Sequence, residues 1–294
     1  MPSPLSVWIS AARPKTLWAA FAPVLIGTAM AFADEAFHAW SALAALVGAC
    51  CIQIGTNFWN DYADFKKGAD TDNRTGPMRA TQAGLISPKH MKCASAIMFG
   101  LALLIALALV ARAGWPLLAI GLLSILFGYL YTGGPMPLGY VGLGDVLVLI
   151  FFGPVAVGGT YYVQALEITP TVLIAGFAPG LLSVAILTVN NLRDMRGDEK
   201  AGKRTLAVRF GQTFARREYV FCMLAGIGIS VVLFYVEHAE HPYVLLAVLT
   251  LPLGRTAIIN VCTSNAPSVL NAMLGRTAKL LLLYSVLFSI GWNL

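Results

Sequence analysis

Nine apolar stretches of 16 to 21 residues follow one another along the chain, near the length at which a helix crosses the roughly 30 Å of a bilayer's hydrocarbon. They run Thr16–Ala33, Ala39–Trp59, Cys93–Val110, Trp115–Tyr131, Asp145–Val163, Thr171–Val189, Tyr219–Val236, Tyr243–Val261 and Thr277–Trp292. Unbroken runs of this length read as membrane-spanning helices. The expected fold is therefore all-α: a polytopic membrane helix bundle around a central cavity. Pro23 interrupts the first stretch and Arg255 the eighth. With 58% hydrophobic and only 12% charged residues, the chain leaves no segment for a separate soluble domain. Residues 1–294 read as one integral membrane domain. The first stretch lacks a clean small-residue cleavage site and reads as a retained span.

An odd number of spans places the two termini on opposite sides. The connections on the N-terminal side carry 19 of the 20 Lys and Arg residues, from Arg13 and Lys15 to Arg276 and Lys279. The other side carries Arg112 alone, with Asp34, Glu35, Glu167, Glu237 and Glu240. The positive-inside rule then puts the N-terminus and both long loops in the cytoplasm. Topology and anionic lipid account for the net charge of +6, so no nucleic-acid partner is implied. The five cysteines lie in or beside apolar segments without zinc-site spacing and read as small buried residues.

Two polar clusters begin where the second and sixth spans reach the cytoplasmic face. If the second helix continues, Asn57, Asn60, Asp61 and Asp64 fall at i, i+3, i+4 and i+7 and share a face. Asn191, Asp194 and Asp198 repeat the pattern at i, i+3 and i+7. Like charges at this spacing repel, and a cation relieves the repulsion. Hard oxygen ligands without His or Cys suit Mg²⁺, whose shell is usually completed by water and substrate phosphates. Each acidic cluster is escorted by basic residues: Lys66, Lys67, Arg74 and Arg79 after the first, Arg193, Lys203 and Arg204 around the second. Acid and base together point to a metal–diphosphate site. A secondary transporter would also explain many spans and repeated acids, but its acids belong at the membrane midplane rather than at one face.

The first cluster resembles the Asn-Asp-x-x-Asp signature of the UbiA superfamily of intramembrane prenyltransferases, and the second resembles that superfamily's second Asp-rich motif. The likeness extends to Arg13-Pro14-Lys15-Thr16-Leu17, Gly76-Pro77-Met78-Arg79, Tyr131-Thr132-Gly133-Gly134-Pro135, Gly159-Thr160-Tyr161-Tyr162 and Gly202-Lys203-Arg204-Thr205. These segments are similar to the branch acting on 1,4-dihydroxy-2-naphthoate. Relatives acting on hydroxybenzoate carry a further Asp four residues after the one at 64, where this chain has Gly68 and then Asp70.

The resemblance implies Mg²⁺-dependent transfer of a polyprenyl group from an allylic polyprenyl diphosphate to 1,4-dihydroxy-2-naphthoate. The ring carboxylate is lost and demethylmenaquinol forms. Prenylation of 4-hydroxybenzoate or homogentisate is the alternative. The implied metal ligands are Asn57, Asp61, Asp64, Asn191, Asp194 and Asp198, with Asp61 and Asp194 foremost; the four acids double as the catalytic groups. Lys66, Arg74, Arg79, Arg193, Lys203 and Arg204 are the implied diphosphate donors, and Tyr131 is a pocket wall. Tyr161 and Tyr162 read as interfacial belt residues. A bacterial inner membrane is the implied location, with the site on the cytoplasmic side.

Overall fold

The computed structural model describes residues 3–68, 76, 79–238 and 240–294. A short helix, α1 (Pro4–Ala12), precedes α2 (Pro14–Ala33), α3 (Ala39–Lys66), α4 (Pro88–Ala113) and α5 (Trp115–Leu130). Then come α6 (Gly144–Phe151), α7 (Pro154–Ala165), α8 (Pro170–Lys200), α9 (Leu206–Val236), a 3-10 segment (Pro242–Thr250), α10 (Leu251–Thr263) and α11 (Pro267–Trp292). Side-chain caps and prolines mark the helix starts. Ser3, Ser87, Thr169 and Thr205 each accept a hydrogen bond from the backbone N–H three residues on. Pro4, Pro88 and Pro170 follow three of these caps at first-turn positions where a missing N–H costs nothing.

Among the described residues all nine expected stretches are helical, two of them interrupted. Eight are long and apolar enough to cross a membrane; α5 has 16 residues. It nonetheless runs between the two ends of the bundle. It starts beside Ala113, whose carbonyl accepts from Tyr162 at the end of α7. It ends where the Tyr129 carbonyl accepts from Trp59 near the end of α3. The fifth span breaks between α6 and α7 at Gly153-Pro154, and the eighth begins as a 3-10 segment before α10. At the first break Gly153 packs on the α8 backbone at Gly176 and Gly180, leaving no room for a Cβ. At the second, Gly291 of α11 lies against the Tyr243 carbonyl. At both of these breaks protein backbone lies alongside; α9 is also kinked at Gly211, near its start.

Helix α8 forms the centre of the core. Leu182, Ala185 and Val189 are fully buried against Tyr219 and Met223 of α9, Tyr284 and Phe288 of α11, and Ile26 of α2. Two hydroxyl pairs lie within this core: Tyr219 with Thr277 at 2.8 Å and Ser230 with Tyr284 at 2.6 Å. Because a Cβ on Gly176 would lie 2.6 Å from Pro154 Cα, Gly176→Val forces α7 and α8 apart. The expected result is a loss of about 1–3 kcal/mol, read as a lowered Tm in detergent.

Both cluster-bearing helices extend past their apolar stretches. Helix α3 continues through Lys66 and α8 through Lys200. The acidic residues therefore stand on rigid helix rather than on loops.

Candidate active site

A cavity of about 920 Å³ opens within the bundle, walled chiefly by α2–α8. Its polar end holds Asn60, Asp64, Asn190, Asn191, Asp194 and Asp198. Its apolar end reaches Ala44 and Ala45 of α3, Leu109 of α4, Leu117 of α5 and Val163 of α7. From Asp64 back to Ala44, α3 rises about 30 Å at 1.5 Å per residue, the thickness of a hydrocarbon core.

The four polar residues on α3 span an arc of about 100° on a helix of 3.6 residues per turn. Asn60 and Asp61 stand at opposite edges of it. The edge holding Asn60 and Asp64 faces the cavity. Asn60 Oδ1 accepts from Thr132 Oγ1 at 2.6 Å. Asn57 lines the cavity too, while its amide donates to the Ala12 carbonyl and to Thr16, both at 3.0 Å. Asp61 differs from its expected place among the metal ligands. It is buried, does not line the cavity, and accepts from the backbone N–H groups of Ala80 and Thr81 at 3.2 Å each. A carboxylate paired with two N–H groups anchors that segment and so places the preceding residue, Arg79. Asp61→Asn is expected to raise the KM for a phosphate-bearing substrate about tenfold through Arg79, one charge-assisted contact being worth roughly 1.5–3 kcal/mol. Steady-state kinetics check this.

Asp64 is the hub. It accepts from Arg79 at 2.9 Å, from Lys203 at 3.3 Å and from the Tyr140 hydroxyl at 2.6 Å. Lys203 also lies 4.0 Å from Asp198. One ammonium thus joins the end of α3 to the end of α8, and the two sequence clusters form a single site. Lys67 donates to the Thr132 carbonyl at 2.8 Å. Burial pushes the Lys67 ammonium down from its ordinary pKa; Asp64 pulls it back up and Lys203 pushes it down again.

The remaining expected donors are placed unequally. Arg193 forks onto Asp194 through Nε and Nη2 and also reaches Asn190 and Asn271. Its donors are committed to protein acceptors, so it braces α8 against α11 rather than offering an open fork. Lys66, Lys67 and Arg204 are exposed and outside the cavity lining, but the Lys67 ammonium turns back over the ring of Tyr140, which does line it. Arg204 contributes through its backbone, donating to the Tyr140 carbonyl at 2.7 Å. Arg74 and Asp70 lie outside the described residues. Tyr131 lines the cavity as expected for a wall. Tyr161 and Tyr162 do not form a belt. Tyr161 is 1% exposed with its hydroxyl on Asp34, and Tyr162 bonds the Ala113 carbonyl.

Residue spacing alone does not mark Tyr140, Thr132 or Asn190 for the site. Tyr140 and Thr132 belong to the Gly-, Pro- and Tyr-rich segment at 128–140, whose near lack of charge on the basic side was the available signal.

Residues 20–288 match the model of the UbiA prenyltransferase family. The chain belongs to that family. Among relatives of this UbiA member, the 1,4-dihydroxy-2-naphthoate octaprenyltransferase of Escherichia coli (strain K12) is 41% identical over 290 residues, 97% of this chain and 94% of that one. The enzyme of the same name from Haemophilus influenzae is 37% identical over 98% of this chain and 96% of its own. That from Mycobacterium tuberculosis is 41% identical over 85% and 84%. Among solved structures, a UbiA homolog from Archaeoglobus fulgidus bound to DMAPP and Mg²⁺ superposes with a TM-score of 0.66. It shares 18% identity and covers 96% of this chain and 99% of that one. The apo UbiA homolog from Aeropyrum pernix K1 gives 0.68 at 13% identity, over 92% and 96%. At these identities the structural likeness shows the fold.

Proposed function

We propose that this UbiA family member transfers a polyprenyl group from an allylic polyprenyl diphosphate to 1,4-dihydroxy-2-naphthoate, with loss of the ring carboxylate, giving demethylmenaquinol. One observation carries the reading: two Asn/Asp clusters joined by Lys203 at the mouth of a membrane-deep apolar cavity. A long apolar tail with a diphosphate head fits that shape and charge. The named relatives supply the naphthoate acceptor.

Mg²⁺ fits the donor set. The side chains facing the cavity mouth from α3 and α8 offer amide and carboxylate oxygens. Among the described residues no three His, Cys, Asp or Glu side chains form a self-sufficient metal cluster. Mg²⁺ held by these oxygens would complete its shell with water and substrate phosphates. We assign the ligands to Asn60, Asp64, Asn191, Asp194 and Asp198. When bound, the ion neutralises charge on the leaving diphosphate.

The protein's own groups do the rest. Arg79 and Lys203 meet phosphate oxygens and stabilise the charge that grows on them as the allylic C–O bond breaks. The apolar walls exclude water, which would turn the allylic cation into an alcohol. The naphthoate ring carbon bonds to the allylic carbon, and the C–CO₂ bond returns its electron pair to the ring as CO₂ departs. No ring proton is removed, so no general base is required. The charge partition orients the site toward the cytoplasm, and we place the protein in a bacterial inner membrane. Arg112, the one basic residue expected outside, is at the far end of the bundle, bonded to the carbonyls of Val163 and Gln164.

Purified protein given a polyprenyl diphosphate, Mg²⁺ and a panel of aromatic acceptors tests the proposal by product mass. Prenylated naphthohydroquinone is the expected product. Product from 4-hydroxybenzoate or homogentisate but none from 1,4-dihydroxy-2-naphthoate contradicts it.

A further inference from the structure

The segment between α5 and α6 ties the two acidic clusters together through one side chain. At its start, Thr132 bonds Asn60 through its hydroxyl and Lys67 through its carbonyl. Toward its end, the Tyr140 carbonyl accepts from the backbone of Arg204, and the Val141 carbonyl accepts from Arg209 at 2.9 Å. Gly142, at φ 80°, runs against the Arg204 carbonyl, where an added Cβ would lie 3.0 Å away. The chain after α3 and the chain after α8 are thus fastened to the same short segment.

Tyr140 projects from this segment into the charged groups. Its hydroxyl donates to Asp64 Oδ1 at 2.6 Å. The Lys67 ammonium stands over its ring at 4.9 Å from the centroid and the Lys203 ammonium at 4.7 Å. Lys67 follows the first cluster and Lys203 the second. These two ammoniums repel each other, and their long stems carry considerable rotamer freedom. An aromatic face attracts each of them without neutralising either, as an added carboxylate would. Lys203 already meets Asp64 and Asp198, so the ring restricts the positions of both cations without adding a further counter-charge. A group carrying several negative oxygens, as a diphosphate does, is the ligand that gains most from two pre-placed cations.

We propose that Tyr140 is a positioning residue for the diphosphate. Its ring holds Lys67 and Lys203 together at the cavity rim, and its hydroxyl fixes the Asp64 carboxylate. This rests on the prenyl-diphosphate reading of the site. It also makes Lys67, rather than Lys66, the lysine of the first cluster that serves the substrate.

Ring and hydroxyl are separable by substitution. Tyr140→Phe keeps the face and removes the donor to Asp64. The expected result is a kcat lowered about tenfold, with the KM for prenyl diphosphate within about threefold of the parent enzyme. Tyr140→Leu removes both groups. The KM for prenyl diphosphate is then expected to rise about tenfold, while the KM for the aromatic acceptor holds. Thermal stabilisation by inorganic pyrophosphate, a readout without turnover, should fall in the Leu variant and persist in the Phe variant. Tyr140→Trp restores a face without the hydroxyl and should behave as Phe does. Lys67→Met should raise the prenyl diphosphate KM in the parent enzyme and add little in the Leu variant, because the two act as a unit.

Several results overturn the proposal: a Leu variant with the parent KM for prenyl diphosphate, equal rises in both substrates' KM, or additive Lys67 and Tyr140 effects. If the Leu variant does not fold, the Phe and Trp variants decide alone, and unchanged kcat in both overturns it. If the parent enzyme neither turns over prenyl diphosphate nor is stabilised by pyrophosphate, the underlying reading fails instead.

Discussion

Replacing Asp64 with Ala is expected to reduce prenyl transfer by about 1,000-fold or more, since loss of one preorganised electrostatic partner typically costs roughly 100- to 1,000-fold and Asp64 organises several. Arg79, Lys203 and Tyr140 all converge on its two oxygens. Its side chain is 2% exposed, so removal leaves two cations in a desolvated place without their counter-charge. Asp64→Asn separates the effects. It keeps the shape and one acceptor oxygen, so the fold should persist while Mg²⁺-supported turnover stays low. Product formation beside a thermal melt of each variant checks this. An Asn variant with near-parent activity would show that the carboxylate charge is not needed there.

The second large effect concerns the tail. Ala49 lines the cavity on α3, well away from the acidic mouth. In Ala49→Trp an indole would project into the channel that a long chain must follow. The kcat/KM for an octaprenyl donor is expected to fall about 100-fold, the cost of overpacking a close-fitting apolar space. A short donor such as geranyl diphosphate ends nearer the mouth and should lose less than about threefold. The measured quantity is the ratio of the two donors' kcat/KM values. An equal loss for both would mean that the tail does not run along α3.

Much of this was readable from residue order. Continuous apolar runs disclosed the nine spans, because hydrocarbon allows few other solutions for a backbone. Helical spacing disclosed that Asn57, Asn60, Asp61 and Asp64 share an arc if α3 continues, and it does. What spacing does not contain is the rotation of that arc about the helix axis. Asp61 and Asp64 are equally acidic and three residues apart, yet one meets the backbone at Ala80 and Thr81 while the other meets the cavity. Packing of the returning chain decides which. The same limit applies to Arg193, whose partner Asn271 is 78 residues away. Tyr161 carries the composition of a belt residue, but its nearness to Asp34, 127 positions earlier, is a property of the bundle. The 3-10 start of the eighth span lies where Gly291 closely approaches Tyr243, again a contact between distant residues.

On this account the clusters at the ends of α3 and α8 are one diphosphate site. Equilibrium binding of a non-ionising prenyl thiodiphosphate, with and without Mg²⁺, tests it most directly in the parent protein and in Asp64→Ala and Asp194→Ala. Mg²⁺-dependent binding should be tight in the parent and lost in both variants. Undiminished binding in either variant, with the fold intact, would contradict a shared site.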